Sequence, residues 1–110
     1  MNYITMFLKN RQRKKLVKKI DVLKVKSTLF LANSDSAKTC ADSILSYLNF
    51  RQKQAEYGDY AATVWLSTHL SEELEKYQGF SKSAAINYQH YEKLQNRINF
   101  LNQKISKLDA

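Results

Sequence analysis

The chain of 110 residues contains no proline and only two glycines. These are the residues that interrupt helices, so their scarcity leaves long helices open and argues against a loop-rich or turn-rich β architecture. Two glycines also cannot build a Gly-rich phosphate loop. The single cysteine, Cys40, excludes a disulfide framework and suits a reducing compartment; beside Ala37 and Ala41 it reads as a small thiol at the core edge. His69 and His90 lie 21 residues apart, and no Cys, Asp or Glu completes a ligand set around them. Neither a metal nor a cofactor is expected. Glu72, Glu73 and Glu75 read as a solvated helix face with no nucleophile or base beside them, so no enzymatic activity is expected. Met1–Leu8 is too short to span a bilayer, and its positive charges follow the apolar run, the wrong order for a signal peptide. A cytoplasmic protein without a membrane span is the expectation.

Acidic residues are also missing from one end. Residues 1–31 carry nine Lys/Arg against the single acid Asp21, whereas the remainder carries nine against nine. The whole net charge of +8 is therefore local, and it calls for a local partner.

What the chain does have is heptad periodicity. Tyr91, Leu94, Ile98, Leu101, Ile105 and Leu108 are spaced 3-4-3-4-3, the spacing that keeps a narrow apolar seam against one partner helix. Upstream, Ala62, Leu66, Leu70, Leu74, Tyr77, Phe80, Ala84 and Asn87 extend this stripe. A second seam starts at Lys9 and Arg13 and continues through Leu16, Ile20, Leu23, Ser27, Phe30, Ser34, Ala37, Ala41, Ile44, Leu48, Arg51 and Ala55. Asn33-Ser34-Asp35-Ser36 resembles a helix stop and N-cap, but the heptad phase is the same on both sides of it, which favours a continuous helix. Tyr77-Gln78-Gly79-Phe80-Ser81 is a rival break, with Gly79 and Ser81 as cap candidates. The strongest break is Tyr57-Gly58-Asp59-Tyr60, where Gly58 suits a left-handed helix end and Asp59 the next N-cap.

These signals predict one all-α domain, a long antiparallel two-helix coiled-coil hairpin. Helix 1 covers about residues 2–56, the turn about 57–60 and helix 2 about 61–108, each arm being roughly 75 Å long at the α-helical rise. One register brings Leu16 to Leu101, Ile20 to Ile98 and Leu23 to Leu94. It also brings Ala41 to Tyr77, Ile44 to Leu74 and Leu48 to Leu70. A compact three- or four-helix bundle, such as an immunity or inhibitor protein, is the alternative.

Helix 1 carries a further stripe, Ile4, Leu8, Arg11, Lys15, Lys18, Val22, Val25 and Leu29, across from Leu16, Ile20 and Leu23. It would cover either a further helix of the chain or a partner protein, with Arg11, Lys15 and Lys18 steering onto an acidic surface. The basic run as a whole, with Arg13, Lys14 and Lys19, is the candidate partner-binding site. Nucleic acid is the weaker partner, because no helix-turn-helix spacing follows the run and the aromatics lie elsewhere. Binding to a membrane surface through Phe7 and Leu8 is weaker still. Tyr47, Phe50, Arg51, Tyr57, Tyr60 and Trp65 flank the turn, either as packing near the tip or as a second contact end.

Two stretches, Leu8-Lys9-Asn10-Arg11-Gln12-Arg13-Lys14-Lys15 and Leu45-Ser46-Tyr47-Leu48-Asn49-Phe50-Arg51, give the chain a resemblance to the YscO/FliJ family of type III secretion stalk proteins. That family opens on a leucine-and-arginine stretch and carries a tyrosine, then an aromatic-arginine pair, before its turn; Tyr47, Phe50 and Arg51 stand in those places. Its following acidic pair is replaced here by Gln54-Ala55, with Glu56 the only acid. The resemblance implies a central shaft whose joined terminal ends insert into a hexameric secretion ATPase at the inner-membrane apparatus. The opposite end would reach toward an export-gate protein or substrate chaperones.

Overall fold

The computed structural model describes residues 2–109. It contains two helices, α1 (Tyr3–Glu56) and α2 (Tyr60–Asp109), joined by a tight turn into a helical hairpin. The described residues include no further helix, so the three- or four-helix alternative is overturned. Tyr60 is the first residue of α2, so the turn is one residue shorter than expected.

The turn follows from two residues. Gly58 holds a φ of 90°, a left-handed conformation that costs an L-residue with a Cβ about 1–2 kcal/mol. With Gly58 in that state, its N–H donates to the Ala55 carbonyl at 3.0 Å, and the Asp59 N–H donates to the Gln54 carbonyl at 2.9 Å. This pair of bonds is the Schellman motif, and it satisfies two carbonyls that the end of α1 leaves open. Asp59 then caps α2, its Oδ1 accepting from the Ala62 N–H at 3.2 Å.

Two compact units make up the hairpin: the residues through Leu31 with those from Tyr88 onward, and Ala32–Asn87. In the first, the terminal unit, Ile20, Ile98 and Leu101 form the buried cluster, with Leu16, Leu23 and Ile105 packed against it. Burying each such side chain contributes about 1.5–3 kcal/mol. Ser27 is buried in the same seam and accepts from Gln95 Nε2. Phe30 stacks on His90 with ring centroids 4.9 Å apart.

In the second, the turn unit, the buried positions are mostly small: Ser34, Ala37, Ala41 and Ala62, with Leu48 the large one. The suspected break at Asn33–Ser36 is helical because Ser34 does not cap anything. Its hydroxyl donates to the Ala84 carbonyl on α2 at 2.8 Å, a bond that requires the two backbones to approach closely. The helix also continues through Gly79, so the rival break is absent.

The α1 seam follows the heptad pattern throughout, every position from Lys9 to Ala55 being buried or half-buried. On α2 the pattern departs between Leu66 and Ala84. Leu70, Leu74 and Phe80 are exposed, while His69, Glu73 and Ser81 are half-buried in their place. The inward ridge there runs through His69, Glu73 and Tyr77, and His69 stacks on Trp65 of the preceding turn at 5.0 Å, its Nδ1 3.1 Å from the Trp65 carbonyl. Glu73 is therefore not part of a simple solvated face. It and Glu72 hold Lys76, at 3.3 and 3.7 Å. The hydrogen bond that Lys76 donates to Glu73, with the charges of both carboxylates, raises the Lys76 pKa above its ordinary value.

Candidate functional site

Among the residues expected to contact a partner, Arg11, Lys14, Lys15, Lys18 and Lys19 are exposed. Arg13 is not one of them. It sits in the seam, pairs with Asp109 of α2 and donates from Nη1 to Asn10 Oδ1 at 2.9 Å. Its Nε is buried and finds no partner among the described residues. Arg13 therefore braces the two helix ends, with its side chain still 37% exposed.

The outer stripe of α1 is open to solvent. Ile4, Leu8, Val22, Val25 and Leu29 are all more than half exposed, and no third helix of the described chain covers them.

The structure adds cations that the expected site omitted. Arg97, Lys104 and Lys107 of α2 lie across the groove from the α1 lysines. Phe100 organises two of them: Arg97 lies 5.3 Å and Lys104 Nζ 4.9 Å from its ring centroid. The signal was present in the sequence. Arg97, Lys104 and Lys107 each precede a seam residue by one, as Lys15 and Lys19 do on α1. Counting charge along segments rather than by helix face hides that alignment.

At the turn unit the expected second contact end divides. Tyr47, Arg51 and Trp65 come together. The Arg51 guanidinium lies 5.4 Å from the Tyr47 ring and 5.3 Å from the Trp65 ring, while Arg51 Nε donates to Tyr47 Oη at 2.9 Å. Tyr47 and Trp65 meet edge to face at 5.1 Å. These three residues are joined to each other. Phe50, Tyr57 and Tyr60 are exposed, the two tyrosines at 91% and 80%, and they alone of the set present unattached aromatic surface.

His69 and His90 are each engaged in aromatic stacking, and no group of His, Cys, Asp and Glu among the described residues is arranged to hold a metal ion. Cys40 is exposed, in a shallow groove with Ala37 and Phe80. No helix among the described residues is long and apolar enough to cross a membrane. No family model, curated protein or solved structure matches the chain.

Proposed function

We propose that this protein is a non-catalytic coiled-coil adaptor that docks its basic terminal end into an acidic oligomeric partner. Following the resemblance to the YscO/FliJ family, that partner is the hexameric ATPase of a type III secretion apparatus. The hairpin acts as its central stalk on the cytoplasmic side and promotes its ATP hydrolysis. The other end, with Phe50, Tyr57 and Tyr60 exposed, is the surface offered to an export-gate protein or a substrate chaperone.

One observation carries the reading. Most of the cations behind the chain's excess charge stand on exposed side chains of the terminal unit, Lys9 and Arg13 in the seam excepted, while a buried cluster of Ile20, Ile98 and Leu101 holds that unit together independently of the exposed ones. Cations that do not hold the fold are available for steering and docking.

The test is charge reversal at Arg11, Lys15 and Lys18, all exposed. The triple variant keeps its far-ultraviolet helical signal and loses capture of the purified secretion ATPase and stimulation of its hydrolysis. Full capture by a folded triple variant refutes the proposal.

A further inference from the structure

The terminal unit has two chemically different flanks on either side of its seam. Lys15 and Lys19 on α1, and Arg97, Lys104 and Lys107 on α2, each precede a seam residue by one and so share one flank. The acids Asp21, Glu92 and Asp109 each follow a seam residue by one and so stand on the other, which they share with Lys14 and Lys24 and which is therefore of mixed charge. The first flank is open as two neighbouring grooves. One, of about 390 Å³, lies between Lys15 and Lys19 on one wall and Lys104 and Lys107 on the other, with the half-buried Leu16 and Leu108 at its floor. The next, of about 420 Å³, lies between Val22 and Arg97 and reaches Leu23 and Leu101.

In a two-helix coiled coil the flanking positions ordinarily pair opposite charges across the seam. Here both walls are positive, an arrangement that repels itself and is neutralised only from outside. A second copy of the chain brings the same sign and does not fit. A bare polyanion answers the lysines but leaves Phe100 and Val22, 45% and 55% exposed, facing water. The occupant that answers both features has carboxylates and an apolar stripe on one surface.

We infer that this groove binds an acidic amphipathic α-helix of a partner protein, which lies along both arms as a third helix. Its apolar ridge enters between α1 and α2 by ridge-into-groove packing, and its flanking Glu and Asp meet the two lysine walls. The inference rests on the adaptor reading only in placing the partner contact at this end; the α2 half of the groove is its own claim.

The experiment titrates the full chain with a synthetic acidic peptide of about three heptads, carrying Leu at its a and d positions and Glu at its e and g positions. Poly-L-glutamate of equal charge and a short DNA duplex are the comparison ligands. Saturable one-to-one binding with a gain in helical circular dichroism is expected, weakened about tenfold or more in the Lys104→Glu/Lys107→Glu variant. Weakening in Phe100→Ala is expected too, since that side chain lies outside the buried cluster. Binding of poly-L-glutamate or duplex as tight as that of the peptide overturns the inference, as does unchanged peptide binding by the α2 variant. The two proposals separate cleanly. Loss of ATPase capture on reversing Arg11, Lys15 and Lys18, with no peptide binding to the parent, refutes the groove and keeps the adaptor. Peptide binding by the parent, with ATPase capture unaffected by that reversal, does the opposite.

Discussion

Gln95 Nε2 donates to Ser27 Oγ across the hairpin at 2.7 Å, and Ser27 is the more buried of the two, only 1% exposed. A serine at a seam position gives up the apolar burial that leucine would supply. What it provides is a directional bond to one residue of the facing helix, which pins the register where two heptad stripes could otherwise slip by a turn.

Replacing Ser27 with Ala removes that bond and costs about 1 kcal/mol, with Gln95→Ala costing a similar amount. The double variant is expected to lose less than the sum of the two, by roughly 0.5–1.5 kcal/mol, because the same bond is deleted in each single variant. Urea denaturation of the four proteins measures this coupling; strict additivity shows that the bond is not formed.

The two glycines are expected to respond in opposite directions. Nothing lies within 4 Å of a Cβ built on either, so the difference is purely one of backbone conformation. Gly58 sits at φ +90° in the turn, and Gly58→Ala destabilises by about 1–2 kcal/mol. Gly79 sits inside α2, where alanine is the better helix former, and Gly79→Ala stabilises by about 0.5–1 kcal/mol. Thermal melts of the two variants should move to either side of the parent.

Arg51 joins the faces of Tyr47 and Trp65 within the turn unit. Arg51→Ala removes both cation–π contacts and is expected to cost about 1 kcal/mol, the guanidinium being only half-buried. Trp65 is the single tryptophan, so its fluorescence reports the change directly. An unaltered emission maximum together with an unaltered melt would show that the cluster is not held by Arg51.

The hairpin was legible wherever one physical signal ruled alone. Gly58 followed by Asp59 marked the turn because no other residue pair in the chain supplies both a left-handed end and a cap. The α1 seam was legible through Ser34 because heptad phase survived a patch whose local propensity argued for a break. The α2 stretch around Leu70 and Leu74 was not, because burial there goes to His69 and Glu73, polar residues that hydrophobic spacing does not select. Arg13 carried both signals, charge and a seam position; the seam position was legible, and the pairing with Asp109 at the far end of the chain was not.

The repelling walls of the terminal groove lead to the last prediction. Lys15 and Lys19 face Lys104 and Lys107 across an open groove, and none of the four has an ion-pair partner among the described residues. Like charges at this range oppose the fold, and dissolved salt screens them over a Debye length of about 10 Å at 0.1 M. The parent protein is therefore expected to melt at a higher temperature as sodium chloride is raised from low to moderate concentration. Lys104→Glu/Lys107→Glu turns repulsion into attraction across the groove. Surface pairs of this kind contribute about 0.2–1 kcal/mol each. That variant should be more stable than the parent at low salt, and its melting temperature should lose the upward salt dependence. A flank whose reversal strengthens the fold is not there for folding. A parent that melts at the same temperature at every salt concentration would show that the two lysine walls do not feel each other.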